Sequence, residues 1–529
     1  MQPGLRGPPK KKGMCKMKKS KTLLALTLAL SMLLAGCSGA AQTSGEEAAE
    51  TEGKSISIGL TLAQSSLDPV KTVDGSSMIA ESVIFDTLVD SRGGMPTVIE
   101  PMLASSWTVS DDGTEYVFTL REGVKFHDGT EMTAEDVVFT LERCMEEPVS
   151  ASHFECIDTV EATGDYEVKV TLNSPNSMFL PSLGKVEAGI VSKAAVEAAG
   201  GDYMFEPIGT GPYMLDGECK SGQPFTLKAF DEYWGEKPDI DSVTYKVLPD
   251  SSTAVIALQN GEIDVLPDLN VNDLETVKND ENLKVIEQAS NWFVHLTFNK
   301  TEAPFNDIRV RQALELAINK QDVLDAAYNG AGELANSPLC SIMTGYTEDL
   351  EFNKYNLEEA KKLMAEAGYA DGFSTTILVR TDRSYIIKVA QVLQSEFAEL
   401  GINLEIKELE RAAWNEAQST VNFDISIGAL NWADSSSMLG FLYRSDGDHN
   451  FDKTYNNPEV DALLNEALQT SDLEKAGELY TEVVKLADED KIVIPLFFPN
   501  DLMGLNKNLD GVVLGVNVYQ RVNEWTLAE

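Results

Sequence analysis

The sequence has 529 residues, more than a single hydrophobic core usually supports, so more than one lobe is expected. It carries 42 Lys and Arg against 85 Asp and Glu, for a formal net charge of −43. Nucleic-acid binding and flat association with anionic lipid both need basic side chains, so this excess of acid argues against either partner. Solubility is the simplest role for so acidic a surface.

The N-terminus has the pattern of an export signal followed by a lipid attachment site. Four lysines between Lys16 and Lys21 precede an apolar run from Thr22 to Gly36, which is shorter than the roughly 20 residues of a membrane span. The run ends in Leu-Ala-Gly before Cys37 and resembles a lipobox, at which bacteria attach diacylglycerol to the cysteine. We predict a signal peptide over 1–36; the alternative is a plain cleaved signal with an incidental cysteine.

The segment after Cys37 is predicted to be a flexible tether over residues 37–54, because it holds no large apolar side chain. Four further cysteines follow in the body: Cys144, Cys156, Cys219 and Cys340. Export permits disulfides, and the sequence leaves open whether Cys144 and Cys156 form one. No pair has CxxC spacing, which argues against a zinc or redox motif.

The body alternates predicted strands and helices, and this alternation indicates α/β lobes. Strands are predicted at 55–60, 116–120, 166–172, 294–299, 403–406, 424–428 and 492–497. Helices are predicted at 76–89, from 133, and at 253–260, 307–319, 357–367, 385–400, 458–470 and 473–488. The His127-Asp128-Gly129 turn and the Gly209-Thr210-Gly211 turn are interpreted as structural, because neither has the neighbours that catalysis or phosphate binding needs.

An ordered series of short motifs then carries a family resemblance. These are EPMLASSW at 100–107, LREGVKFHDG at 120–129, GTGPY at 209–213, YWG at 233–235, LQNGEID at 258–264, RVRQA at 309–313 and NPEVD at 457–461. The chain resembles the dipeptide, oligopeptide and nickel type of ABC-importer solute-binding protein, family 5, from about Ser55 to its end.

The resemblance implies an α/β fold, a two-lobe periplasmic-binding-protein-like (type II) clamp with an extra subdomain inserted in lobe I. Lobe I would comprise 55–75, 205–299 and 495–529; the inserted subdomain, 76–204; lobe II, 300–494. The chain would cross between lobes near Asn299 and Pro495. The expected protein is a monomer without a cofactor, lipid-anchored outside the cytoplasm, that delivers a small molecule or short peptide to a membrane permease.

The resemblance also suggests where a peptide would bind. In peptide-binding relatives, an Asp after an aromatic residue pairs with the peptide's α-ammonium, and Asn431-Trp432-Ala433-Asp434 matches that place. Such a charge-assisted pair would reject ligands without an amine. The family commonly continues with Pro, whereas Ser435 follows here. The alternative is that Asp434 caps the turn or helix after it.

Two further residues are candidates for the ligand site. Arg380 has the spacing at which dipeptide-binding relatives place an Arg that grips a carboxylate, and a guanidinium matches a carboxylate with two hydrogen bonds. Asp382 and Arg383 could instead tie that loop into surface ion pairs. Trp292 precedes a predicted strand and is a candidate cleft wall or a core residue.

Rival functions are weighed on residue types. A nickel or metal-chelate binder would need histidines, and only His127, His153, His295 and His449 are present, without a cluster at ligand spacing. His449 lies close enough to the cleft loops to keep this alternative open. An oligosaccharide could stack on Trp432 and Trp292. A sensory lipoprotein could use the same clamp without transport. The absence of hydrolase or metalloprotease signatures predicts that the protein is not an enzyme.

Overall fold

The structure is a computed structural model. It describes residues 53–91, 99–200, 203–350, 354–432, 434–513, 515 and 519–528. The predicted signal peptide and the predicted lipid site at Cys37 lie outside the described residues, as does most of the tether.

The first sheet is mixed and has seven strands. In spatial order they are Leu283–Gln288, Asp501–Asn506, Val265–Leu266, Ser55–Leu60, Ser242–Val247, Phe225–Ala229 and Tyr213–Asp216. The strand Ser55–Leu60 runs parallel to both of its neighbours, and the other pairings are antiparallel. Its alternating Ile56 and Ile58 are buried, as the sequence pattern predicted.

The second sheet has six strands. In spatial order they are Gly332–Leu334, Val493–Pro499, Trp292–Phe298, Ile425–Asn431, Ser374–Arg380 and Asn403–Leu409. Ser374–Arg380 runs parallel to both of its neighbours, whereas Trp292–Phe298 runs antiparallel to both of its own. Isoleucines, leucines and phenylalanines of these strands are buried, because helices cover the sheet.

A smaller third sheet lies within the predicted inserted subdomain. Its antiparallel strands are, in spatial order, Ala104–Val109, Glu115–Leu120, Glu167–Leu172 and Ile157–Gly164. Two short strand pairs complete the described sheets: Val89–Asp90 with Glu100–Pro101, and Leu509–Asp510 with Thr526–Leu527.

The α-helices flank these sheets. In the first part of the chain they are Gly75–Ile84, Ala134–Glu146, Ala151–Phe154, Phe179–Ser182, Lys193–Ala199, Ser251–Gln259 and Leu274–Lys278. In the second part they are Ile308–Ala317, Lys320–Tyr328, Leu357–Glu366, Ser384–Ala398, Arg411–Ser419, Ser435–Tyr443, Pro458–Leu468 and Leu473–Glu489. No helix among the described residues is long and apolar enough to cross a bilayer.

Each sheet packs against its own cluster of buried apolar side chains. Representative members are Ile58, Leu227 and Tyr245 for the first sheet, Ile377, Phe397 and Ile425 for the second, and Phe118, Leu141 and Val168 for the third. Separate cores agree with the expectation, from chain length alone, that one core would not suffice.

The chain passes between the two large sheets at places other than the sequence analysis assigned. Strands Trp292–Phe298 and Val493–Pro499 both lie wholly in the second sheet. The passages are therefore residues 289–291 and Asn500, not the neighbourhoods of Asn299 and Pro495. An apolar pattern identifies a strand but not the sheet it joins, which explains the displacement.

The two glycine-containing turns interlock. The His127 amide donates to the Gly209 carbonyl at 3.0 Å, and His127 Nε2 lies 3.0 Å from the Gly211 carbonyl oxygen. The Gly211 amide in turn donates to the carbonyl of Ile84, at the end of the helix Gly75–Ile84. Burial lowers the pKa of His127 to about 4, so its imidazole is neutral and structural.

The structure also describes the cysteines and the ion pair at the start of the helix Ile308–Ala317. Cys144, Cys156, Cys219 and Cys340 are all buried and free, so no disulfide joins them. Arg309 pairs with Asp307 at 2.6 Å, the local ion pair that is the ordinary interpretation of an Arg beside an Asp at a helix start.

Substitution of Gly211 tests the interlocked turn. A Cβ there would lie 2.5 Å from the Val83 carbonyl oxygen and 2.6 Å from the Ile84 carbonyl carbon, and backbone cannot rotate aside. We expect Gly211→Ala to lower the free energy of unfolding by about 1–3 kcal/mol, measured by denaturant unfolding. The matched control is Gly440→Ala, in the helix Ser435–Tyr443, where the nearest atom is 3.7 Å away. It should be neutral or stabilising by up to about 1 kcal/mol; equal destabilisation by both would contradict this account.

Candidate functional site

The two large sheets face each other across a cavity of about 480 Å³, here called the cleft cavity. Its first-sheet wall includes Thr61, Asp268, Asp501 and Gln520, and its second-sheet wall includes Trp292, Tyr328, Arg383 and Tyr385. Thr61 directly follows the strand Ser55–Leu60, and Asp268 follows the parallel strand Val265–Leu266 after one intervening proline. The carboxyl ends of parallel strands form one edge of the sheet, the usual position of ligands in α/β folds.

A second cavity of about 500 Å³ opens beside the first, on the second sheet; it is called the side cavity. Its lining includes Arg380, Arg411, Trp414, Asn431, Trp432 and His449. Trp292 and Arg383 line both cavities. A ligand held at these two side chains would therefore reach both spaces.

The junction of the cavities is a stacked pair. The Arg383 guanidinium carbon lies 4.2 Å from the centre of the Trp292 ring, within cation–π range, and Nη1 donates to the Tyr385 hydroxyl at 3.0 Å. Arg383 forms no direct ion pair with a carboxylate of the described residues, so its guanidinium can still bind a ligand, while its charge acts at longer range on Asp268 and Asp382 and lowers the pKa of each. Sequence reasoning weighed Arg383 only as a surface ion-pair partner.

Arg380 is engaged within its own loop. Its Nε donates to Asp382 Oδ1 at 2.9 Å and its Nη2 donates to the other carboxylate oxygen, which lowers the pKa of Asp382. Its guanidinium also lies 5.7 Å from the Trp414 ring centre. The local ion pair weighed as the alternative is therefore present, and the gripping of a ligand carboxylate by Arg380 stays a prediction.

The side cavity is basic and aromatic. Among the described residues that line it are three arginines and two histidines but no aspartate or glutamate, although the chain as a whole carries −43. Its walls include the rings of Trp292, Trp414 and Trp432. Such a wall favours ligands that combine an anionic group with apolar or aromatic surface.

The two histidines of this cavity form a buried pair. His295 Nε2 and His449 Nε2 lie 3.4 Å apart, and Thr297 Oγ1 lies 3.0 Å from the same His449 nitrogen. Burial lowers the pKa of His295 to about 4 and that of His449 well below its usual value, so both are neutral near pH 7. The described residues contain no group of three or more metal-ligating side chains, and the pair alone supplies two nitrogens.

Four of the five ligand-site residues predicted from sequence lie together. Asn431 ends the strand Ile425–Asn431 and pairs in register with Trp292. The Trp432 ring centre lies 5.8 Å from that of Phe441, another wall of the side cavity, and Arg380 lies on the same cavity. The structure thus brings Asn431, Trp432, Arg380 and Trp292 to one place.

Asp434 is placed differently. It is 4% exposed, lines neither cavity, and is the N-cap of the helix Ser435–Tyr443, where Oδ1 accepts from the Ser437 amide at 2.7 Å. This is the capping role that the sequence analysis kept as its alternative. The pairing of Asp434 with a peptide ammonium stays a prediction.

Sequence reasoning missed the acidic side of the cleft cavity. Asp268 and Asp501 line its first-sheet wall, and desolvation raises the pKa of both carboxyl groups, to about 7 for Asp501. The signal available in the sequence was the position of these residues, since Asp268 lies two residues beyond a strand and Asp501 adjoins a passage between the sheets. That signal was hidden because Asp and Glu total 85 in this chain.

Comparisons with known proteins agree with this architecture. The model of "Bacterial extracellular solute-binding proteins, family 5 Middle" matches residues 98–453. The chain is 30% identical to "Heme-binding protein A" of Haemophilus influenzae, over 94% of this chain and 97% of that protein. It is 32% identical to the "Dipeptide-binding protein" of Escherichia coli, over 78% of this chain and 84% of that one.

A solved structure of a related protein has the same fold. The periplasmic binding protein DppA of Helicobacter pylori, in complex with the peptide STSA, superposes with a TM-score of 0.73 at 29% identity, over 90% of this chain and 98% of that one. The predicted two-lobe clamp is thereby confirmed. The part of the chain that carries the first sheet is called lobe I below, and the part that carries the second sheet is called lobe II. The chain belongs to the bacterial extracellular solute-binding proteins, family 5, a family that binds solutes for ABC importers.

Proposed function

We propose that this protein is a lipid-anchored extracytoplasmic receptor that captures short peptides between its lobes and delivers them to the permease of an ABC importer. The observation that carries the proposal is the charge arrangement of the cleft cavity. Carboxylates of Asp268 and Asp501 stand on the lobe I wall, and the open guanidinium of Arg383 stands on the lobe II wall. A free peptide is a zwitterion and matches both walls.

The side cavity supports the same ligand class. A peptide whose carboxylate lies near Arg383 would reach the tryptophan-lined space beyond it, which suits apolar or aromatic side chains. The names of relatives agree, since one is a dipeptide-binding protein and one structure holds the peptide STSA. Another relative is named for heme, so heme enters the tests below.

Capture by lobe closure follows from where the ligand would sit. A ligand that contacts both walls binds the closed form better than the open one, and that difference in affinity stabilises the closed form. The permease would then recognise the closed protein. Two short passages, residues 289–291 and Asn500, connect the lobes and support such a motion.

Anchoring rests on the sequence before the described residues. The leader, the Leu-Ala-Gly sequence and Cys37 together support export and diacylglycerol attachment, and the tether would let the clamp reach the permease. Attachment outside the cytoplasm is the arrangement that a receptor for an importer requires.

A thermal-shift and calorimetric screen tests the ligand class. Di- to pentapeptides should raise the melting temperature, because a ligand at 100 times its Kd stabilises the native state by about 2.7 kcal/mol. Heme, a nickel–histidine chelate and maltotriose are the competing classes. Peptide capture would be abandoned if no peptide bound while one of these did.

Replacement of Trp292 tests the junction of the cavities. Trp292→Ala should weaken peptide binding about tenfold or more, which is about 1.4 kcal/mol, because it removes a wall of both cavities and the ring under Arg383. Trp107→Ala, in the third sheet and outside both cavities, is the matched control and should leave calorimetric affinity unchanged. Equal losses would point to general destabilisation.

The anchor is tested by cell fractionation. Cys37→Ala should move the protein from the membrane to the soluble fraction, because the thiol that would carry the lipid is gone. Cys15→Ala, which lies before the apolar run, is the control and should stay with the membrane. Retention of the Cys37→Ala protein in the membrane would refute lipidation at this residue.

A further inference from the structure

Asp268 and Asp501 are held side by side by backbone hydrogen bonds. The strands Val265–Leu266 and Asp501–Asn506 are antiparallel neighbours in the first sheet. Beyond the paired residues, the Leu269 amide donates to the Leu502 carbonyl at 2.9 Å. Asp268 and Asp501 each precede one member of that pair, so both carboxylates are fixed on the same rim of the cleft cavity.

These carboxylates have few hydrogen-bond donors within the described part of the protein, and the charge of Arg383 only partly offsets the rise in the pKa of Asp268. Thr61 Oγ1 reaches Asp268 Oδ2 only at 3.5 Å, and no donor of the described residues hydrogen-bonds the Asp501 carboxylate. Two partly desolvated carboxylates beside each other repel, which contributes to the raised pKa of Asp501. A pair kept only for stability would be expected to have donors around it.

Gln520 adds an independent acceptor to the same cavity. Its side chain is 1% exposed and lines the cleft cavity, and within the described part of the chain its Oε1 has no hydrogen-bond partner. A buried amide oxygen without a donor costs free energy, so the site is built for a donor that the protein itself does not supply. Asp268, Asp501 and Gln520 all line the cleft cavity, and the unpaired Oε1 of Gln520 is buried in its wall.

We propose that Asp268 and Asp501, with Gln520 beside them in the same wall, form a subsite on the lobe I side that binds the ammonium group of the ligand. An ammonium has three hydrogen-bond donors and one positive charge. It can therefore donate to the unsatisfied oxygens and reduce the repulsion between the two carboxylates. The carboxylate end of the ligand then points to Arg383 and the basic side cavity, which fixes the direction of a bound peptide. This assignment rests on the proposed peptide function and replaces Asp434, whose carboxylate caps a helix, as the ammonium partner.

Calorimetry with matched peptides tests the subsite. Di-, tri- and tetra-alanine and their N-acetylated forms are titrated into wild type, Asp268→Asn and Asp501→Asn. Removal of either charge should weaken binding of the free-amine peptides about tenfold or more and leave the weak binding of the N-acetyl forms unchanged. Asparagine keeps the shape of the side chain, and melting temperatures of the unliganded variants check that each folds.

Two control variants make the result specific. Asp216→Asn removes an exposed lobe I carboxylate that pairs with Lys228, outside both cavities, and should change nothing. Asp434→Asn keeps a capping side chain and should also preserve the preference for a free amine. Loss of that preference in Asp434→Asn alone would overturn the subsite and return the role to Asp434.

A second probe separates failure of the subsite from failure of the peptide function. Agmatine, spermidine and calcium chloride are tested by thermal shift on the same variants. If peptides fail but amines stabilise wild type and not the Asp268→Asn or Asp501→Asn protein, the subsite stands and the peptide function falls. If peptides bind equally to all variants, or calcium alone stabilises wild type, the subsite is overturned.

The pH dependence gives a further readout. Because the pKa of Asp501 is about 7 in the unliganded protein, its ionised fraction grows between pH 5.5 and 7.5, and affinity for free-amine peptides should grow with it. The other titratable or charged groups of the cavity are Asp268, Asp382, Arg383, Tyr328 and Tyr385. Of these only Asp268 has a raised carboxyl pKa, so the rise in affinity belongs to the acidic pair and should become smaller in Asp501→Asn, where Asp268 alone titrates.

Discussion

Two stretches of chain run side by side through both large sheets and form an antiparallel strand pair in each of them. The way the two lobes are joined depends on this continuous pairing. Leu283–Gln288 pairs with Asp501–Asn506 in the first sheet, and Trp292–Phe298 pairs with Val493–Pro499 in the second. Both passages between the lobes therefore lie side by side. A paired ribbon bends across its width more readily than it shears along its length, so the ribbon favours opening and closing of the cleft over sliding of one lobe past the other.

The same continuity decides which side chains the cleft presents. Trp292 and Asp501 are the first residues of their strands, immediately beyond the two passages. They therefore lie at the base of the cleft, on opposite walls. Their position is set by the passages and not by the more distant parts of each lobe. Arg383 is fixed on the lobe II wall by its stack on Trp292, so one crossing of the chain helps position both signs of charge.

The sequence predicted local structure well because local rules decide it. The helix Leu473–Glu489 was predicted at 473–488, and the strand Ser55–Leu60 was predicted with the same bounds. The helix predicted at 76–89 ends at Ile84, because the chain turns there to meet Gly211. That contact joins residues that are far apart in the sequence, so the local pattern of apolar residues does not predict it.

The site was predicted less completely, for a related reason. Asn431, Trp432, Arg380 and Trp292 were found because a family motif or an aromatic side chain marks each one. Asp268 and Asp501 belong to no family motif. They are brought together by a backbone hydrogen bond between the residues that follow them, Leu269 and Leu502, and the sequence does not predict that bond. In a chain with so many acidic residues, a carboxylate indicates a functional site only when its neighbours and its exposure to solvent are known.

Charge in this protein therefore has to be considered at two length scales. The net charge of −43 acts through solvent and is screened within about 8–10 Å at physiological salt, so it governs solubility more than recognition. Inside the cavities the dielectric is lower and each contact is stronger. There the walls differ in charge: two carboxylates without a direct ion pair line the lobe I side, whereas the lobe II side and the side cavity carry arginines, and the one lobe II carboxylate, Asp382, is paired with Arg380. A zwitterion gains from both walls only when they approach each other, so the segregation of charge makes ligand binding drive closure.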